Sequence, residues 1–184
     1  AGQTLEGEVE VDGAYFGGHV RPANVKENRR DRRLAINQTG KRQVVVVGRE
    51  RGGESLTVVA KSEAKGGEVV ASRIHHMSTV HADEASHWDD LHGKFETFRI
   101  NHQRAYSDGI ACTNQAESYF SRLRRMEVGT HHHIAGPYLA SYAAEASWRE
   151  DNRRVCNGNQ TAMVGMAALA SGVSRRWAGY WQRA

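Results

Sequence analysis

The chain opens on strict alternation. Across residues 8–16, EVEVDGAYF, Val9 and Val11 fall on one side while Glu8, Glu10 and Asp12 fall on the other. A period of two is the signature of a β-strand. Two further β-rich runs, 43–48 and 56–60, flank Arg51-Gly52-Gly53-Glu54 and read as a hairpin. Between the first strand and that hairpin, residues 17–42 are rich in Gly, Asn, Arg and Lys and include Pro22, which predicts a long basic loop or arm. The spacing then predicts a helix over 63–77, carrying Val69, Val70 and Ile74 on one side. A short apolar strand over 79–82 runs into Asp83, followed by a short helix over 88–95 and a strand over 97–101.

The last third reads as helical. Residues 107–113 form a connecting loop before a helix over 114–127, which Gly129 and the run His131-His132-His133 break. Helices over 135–150 and 160–182 follow, joined by the polar link 151–159. Leading strands, then alternating strand and helix, then helices predict an α/β fold. Its core is a mixed central sheet flanked by helices, with a helical C-terminal part.

Composition narrows the classes. A length of 184 residues suits one compact domain with a proper core, and 39% apolar with 25% charged residues is an ordinary globular mixture. The longest apolar runs, such as 44–47, are too short to span a bilayer, and no secretory signal opens the chain. No membrane partner is expected. Cys112 and Cys156 lie far apart without CxxC spacing, so a reduced, intracellular protein is the expectation. The chain begins at Ala1 rather than Met and is expected to be a piece of a longer one. The net charge is +4, with Arg clustered at 29, 30, 32 and 33, at 122, 124 and 125, and at 153 and 154. Guanidinium clusters suit phosphate backbones, although charge alone describes solvated surfaces equally well.

Three acids stand where metal chemistry favours them. Asp12 lies within the first strand, Asp83 at the end of the short apolar one, and Glu117 in the first turn or so of the helix beginning near Asn114. Carboxylates from neighbouring strands and a facing helix can converge on Mg²⁺, a hard ion that prefers oxygen. Any one of the three taken alone reads as a solvated surface group or a turn residue. On the helix, Asn114, Glu117, Ser121 and Arg124 share one side, and Ala116, Tyr119, Phe120 and Leu123 form the apolar side. Glu117 and Arg124 are seven apart, so an acid for a metal and a cation for a phosphate project in nearly the same direction. Asn114 also reads as the N-cap of this helix.

Seven collinear segments carry a family resemblance: VEVDGAYFGG (9–18), RRLAINQTGKRQVVVV (32–47), STVHADEASHWDDL (78–91), RINHQRAYSDG (99–109), CTNQAESYFSRLRR (112–125), GTHHHIAGPY (129–138) and WREDNRRVCNG (148–158). In order, they resemble the ISXO-like insertion-sequence transposases, over roughly residues 5–160. The resemblance implies a ribonuclease-H-like DDE catalytic domain over 1–160, with a helical extension over 161–184 packed on it. It places the catalytic and metal-ligating acids at Asp12, Asp83 and Glu117, for two Mg²⁺ or Mn²⁺ ions. Glu117 follows Asp83 by 34 positions, similar to the spacing common in such enzymes. Some branches of the family read the third ligand as Asn, so Asn114 competes with Glu117. Many relatives have an acid directly after the first Asp, where this chain has Gly13. Relatives usually also carry a zinc ribbon and a helical DNA-binding segment ahead of this domain, and neither is in this sequence.

The implied reaction is metal-dependent DNA cleavage and strand transfer, with terminal inverted repeats and target DNA as partners. A homo-oligomer in the active complex and a bacterial cytoplasmic, nucleoid-associated location go with it. Arg124, Arg125 and Arg122, with Arg29, Arg30, Arg32 and Arg33, are the expected DNA contacts. His102 is a further residue expected near the metals. His131, His132 and His133 cannot all face one ion on a regular element and read as a structural or DNA-facing turn. Trp148, Trp177, Tyr180 and Trp181 read as packing residues. A truncated DNA-binding remnant and a metal-dependent nuclease of the same fold are the rival readings.

Overall fold

The computed structural model describes residues 3–17, 23–30, 35–37, 40–100, 107–108 and 111–174. Five strands form one sheet in the order β3-β2-β1-β4-β5. They are β1 (Glu8–Gly17), β2 (Arg42–Glu50), β3 (Ser55–Ala60), β4 (Thr79–Asp83) and β5 (Glu96–Ile100). The first three are antiparallel, and β2 and β3 are the predicted hairpin, turning at Gly52 with φ +78°. β4 and β5 run parallel to β1. Parallel neighbours need crossovers. Helix α1 (Glu63–Ala71) leads into β4, and a 3-10 helix, Ser86–Gly93, leads into β5.

Both faces of the central strands are covered. On one face Val9 and Val11 pack with Val44, Val46, Val80 and Ala82 beneath Val70 and Trp88. On the other, Ala14, Phe16, Val45 and Val47 meet Tyr119, Phe120 and Leu123 of α2 (Asn114–Arg125) and Leu139 and Ala143 of α3 (Leu139–Asp151). The four consecutive valines 44–47 are therefore all fully buried, as a strand with two covered faces requires. The same geometry changes the meaning of the first strand's alternation. On its acidic side Glu8 is exposed and Asp12 partly buried, whereas Glu10, 0% exposed, lies against the start of α2.

Several elements depart from the sequence expectation. The helix predicted over 63–77 stops at Ala71. Ile74 instead forms a β-bridge with Leu5, both buried, and Val69 is exposed. The loop expected over 107–113 contains a two-residue pair, β6 (Ser107–Asp108) with β7 (Ala111–Cys112). Helix α2 ends at Arg125 and passes into a π-helical turn, Met126–Thr130.

A buried ionic latch joins the end of α3 to the hairpin. Arg49 of β2 pairs with Glu150 at 3.4 Å and Asp151 at 3.0 Å. Asp151 also accepts from the Ser55 backbone N–H at 3.1 Å and its hydroxyl at 2.7 Å.

The chain divides into two compact units, Ala1–Asp151 and Asn152–Ala184. In the second, α4 (Asn157–Ala170) begins earlier and ends sooner than the helix expected over 160–182, and the Gln160 side chain donates to the carbonyls of Asn152 and Val155 ahead of it. Among the described residues, no helix is long and apolar enough to cross a membrane.

Candidate active site

The parallel ladder between β1 and β4 ends at the pair Glu10–His81. Asp12 and Asp83 are each two residues further along their strands. β1 stays paired to β2 as far as Gly17, and β4 to β5 as far as Asp83. The two acids thus stand at the opening between diverging strands. The turn after Asp83 is fixed from β5. Arg99 donates to the Asp83 carbonyl, to the Ala85 carbonyl at 2.6 Å and to the Asp89 carboxylate at 3.1 Å.

Glu10 brings α2 to this opening. Its Oε2 accepts from the backbone N–H of Gln115 at 2.7 Å and of Ala116 at 3.1 Å, groups that an isolated helix start leaves unsatisfied. Its Oε1 accepts from Arg51 Nε at 3.0 Å and lies 3.5 Å from Cys112 Sγ. A carboxylate at a helix N-terminus also meets the positive end of the helix dipole. Glu10 and Asp12 are two apart on β1 and share a face, so the helix capped by one is laid across the other. The N-cap is Thr113, without a side-chain cap bond; Asn114, expected as the cap, is the first helical residue and is exposed. The long-range carboxylate has taken over the capping role.

The electrostatics show which acids come together. The Asp12 carboxyl is pushed up from 3.8 to about 7, chiefly by burial. The Gly13 N–H, donating to Oδ1 at 2.7 Å, opposes this, whereas Asp83, Glu117 and Glu63 each raise it further. Asp12 therefore feels the negative charge of both other predicted acids and of a fourth. Glu63 is itself pushed upward by burial and by Asp83, with His87 acting in the opposite sense. As the side chains lie, no group of three or more His, Cys, Asp or Glu among the described residues is arranged to hold a metal ion. Asp12 Oδ1 is turned to the Gly13 N–H, and Asp83 Oδ1 to the Ala85 N–H at 3.0 Å.

The remaining candidates are dispersed. Arg124 is exposed, Arg125 donates to Ser121 at 3.0 Å, and Arg122 is paired with buried Glu150 at 2.6 Å. Arg29 donates to the Ala23 carbonyl at 3.1 Å, and Arg30 is exposed. Arg32, Arg33 and His102 lie outside the described residues, as do Trp177, Tyr180 and Trp181. The histidine run is a turn. His131 packs on Tyr142 with ring centroids 4.4 Å apart, and His132 has φ 60°. His133 lines a cleft of about 450 Å³ together with Lys41, Lys61, Gln43 and Pro137.

A five-stranded mixed sheet in this order, flanked by helices and followed by helices, is the architecture of a ribonuclease-H-like domain, and it sets one acid on the central strand, one at the end of the parallel neighbour and one on the helix packed on the central strand. Over residues 4–151 the chain matches the family described as the ISXO2-like transposase domain, and it belongs to that family. The match ends at the residue that closes the first compact unit. No curated protein and no solved structure matches the chain.

Sequence reasoning missed Glu10, Glu63, His87 and Arg99. Only Glu10 left a trace, in sharing Asp12's side of the alternation. The partners of Glu10 and Glu63 are tens of residues away, and no local pattern encodes them.

Proposed function

We propose that this domain is a DDE-type transposase that cleaves and joins DNA at the ends of an insertion sequence, using two Mg²⁺ or Mn²⁺ ions. What supports this reading is that Asp12, whose carboxyl burial chiefly pushes up to about 7, also feels the charge of Asp83 and Glu117. Carboxylate oxygens are the donor set that a hard divalent cation takes. Asp12, Asp83 and Glu117 would hold it, after the two aspartates release their local backbone bonds. Bound there, a pair of such ions supplies Lewis-acid activation of the attacking oxygen and charge stabilisation at the leaving one.

The chain's own residues do the rest. Glu10 and Arg99 fix α2 and the turn after Asp83, so that the acids are positioned before DNA arrives. Arg124, two turns beyond Glu117, meets a phosphate on the same side of α2, and Lys41 and Lys61 give the backbone a second footing in their cleft. Water attacks a phosphorus at the element's end, the P–O3′ bond breaks, and a 3′-OH is freed. That hydroxyl then attacks a phosphorus of the target, displacing the target's own 3′-oxygen. A dimer or larger assembly handles two ends together.

The test combines a labelled inverted-repeat end, Mg²⁺ or Mn²⁺ and a plasmid target. Joined product is expected, and it is lost in Asp12→Asn, Asp83→Asn and Glu117→Gln while DNA binding persists. Nicks without joining would make the domain a nuclease, and a mobility shift without cleavage a DNA-binding remnant. Undiminished joining in Asp83→Asn would overturn the assignment of the acids.

A further inference from the structure

We infer that the cleft between Lys41 and Lys61 is a seat for one unpaired nucleotide, its base inside against Ile134 and Pro137 and its phosphate held by the lysines. The inference rests on the DNA-processing reading above and deepens it, assigning the cleft to single-stranded rather than paired DNA.

Size and lining are the first observation. A duplex backbone asks only for a cationic surface. This cleft measures about 450 Å³, within the roughly 300–1,000 Å³ of sites that enclose small organic ligands. A double helix is too wide to enter such a space, whereas one nucleotide of a single strand fits. The turn ahead of α3 gives the cleft apolar lining, from Ile134 to Pro137. Lys41, just before β2, and Lys61, just after β3, are both exposed. An apolar interior with cations at its edge suits a base joined to a phosphate.

Gln43 is the second observation. It lines the cleft, pairs with Phe16 across β1 and β2, and follows in the β2–β3 register as the neighbour of Lys61, one step past the pair Val44–Ala60. Its Oε1 is buried and accepts no hydrogen bond among the described residues. Gly136 makes room for that oxygen, since a Cβ there would lie 3.1 Å from it. A buried acceptor left alone calls for a partner, and the terminal torsion of a glutamine is soft enough to swing the oxygen into the cleft. Every base carries an N–H on its pairing edge, and that edge is free only when the base is out of the duplex. One acceptor therefore separates unpaired from paired bases without choosing among the four.

Position is the third. Asp12, Ala14 and Phe16 alternate onto one face of β1, and Gln43, opposite Phe16, stands on that face too. Asp12 and Phe16 are about 13 Å apart along the strand. Helix α2 runs alongside, from its start at Glu10 to Phe120, whose ring centroid is 6.2 Å from that of Phe16. A strand cut at the acids thus has the cleft within about four base steps.

Anisotropy of a fluorescein-labelled single strand of mixed sequence, and of the same sequence as a duplex, reads the cleft in the full chain without metal. Gln43→Leu removes the acceptor. Ala135→Leu, at an exposed position of the lining, fills the space and leaves both lysines in place. Each is expected to weaken the single strand about tenfold, the worth of one well-seated base, and the duplex by less than about twofold. Equal losses for strand and duplex, or no loss for the strand, in the folded variants would overturn the inference and leave the transposase reading standing. So would a wild-type chain that bound the duplex alone. A wild-type chain that bound neither probe would overturn both. Should Gln43→Leu fail to fold, Ala135→Leu decides the matter.

Discussion

Glu10 and Gln115 are 105 residues apart in sequence and 2.7 Å apart in space, carboxylate oxygen to backbone nitrogen. The bond ties the strand of the first acid to the helix of the third. Glu10→Ala is expected to cost about 2–5 kcal/mol in urea unfolding, because it leaves two helix N–H groups without their acceptor, while Arg51 keeps Glu8 and the Cys112 carbonyl. Glu10→Gln keeps one acceptor and is expected to cost about 1–3 kcal/mol. In folded Glu10→Gln, strand transfer falls further than DNA affinity, since Glu117 loses its placement while the basic residues keep theirs.

Asp12 sets a pH dependence whose sign is fixed. Its carboxyl titrates at about 7 folded against an ordinary 3.8, so the folded state holds the proton more tightly. That contribution is intact below about pH 4 and is lost as pH rises to about 7. Without metal, Asp12→Asn is expected to gain on wild type across this window. The advantage levels off at about 1–3 kcal/mol near pH 8, part of the ~1.4 kcal/mol per pH unit being lost to solvent screening. Thermal melts of both proteins at several pH values measure the widening. Millimolar Mg²⁺ raises the wild-type midpoint more at pH 8 than at pH 6, and EDTA reverses it.

The cleft of Lys41 and Lys61 offers charge without sequence information. Replacing both lysines with Ala is expected to weaken binding equally for an inverted-repeat end and an unrelated duplex. The slope of log affinity against log salt falls by about 1–2. A loss confined to the inverted repeat would assign the cleft to base recognition instead.

Gly67 lets Trp88 lie directly on α1. The 2.7 Å approach of an added Cβ to the indole makes Gly67→Ala an overpacked core, expected to cost about 1–3 kcal/mol. Because the His87 ring lies against Trp88 and its Nε2 stands 3.3 Å from Glu63 Oε2, the same variant is expected to loosen that contact, visible as broadened His87 ring resonances.

Periodicity made much of the frame legible. The apolar side assigned to the helix at Asn114 is the set of residues buried in α2: Ala116, Tyr119, Phe120 and Leu123. Alternation placed Asp12 on β1, and the short apolar run placed Asp83 at the end of β4. Ile74 misled because an apolar residue at helical spacing serves a bridge to Leu5 equally well. Alternation reports which residues of β1 share a face and not what covers it, so the burial of Glu10 left no mark in the pattern. Glu63 was illegible for a related reason: an acid after Ser62 is ordinary helix-start chemistry, and Gly13, whose bare backbone leaves its side chain room, is 50 positions earlier.

The latch at Arg49 has a consequence for where this domain can be cut. A fragment ending at Trp148 keeps the buried apolar residues of α3, yet leaves the Arg49 guanidinium sealed inside the protein without Glu150 and Asp151. Arg122 would lose Glu150 by the same cut. The smallest piece able to stand alone therefore runs through Asp151, a terminus dictated by two carboxylates rather than by the last hydrophobic turn.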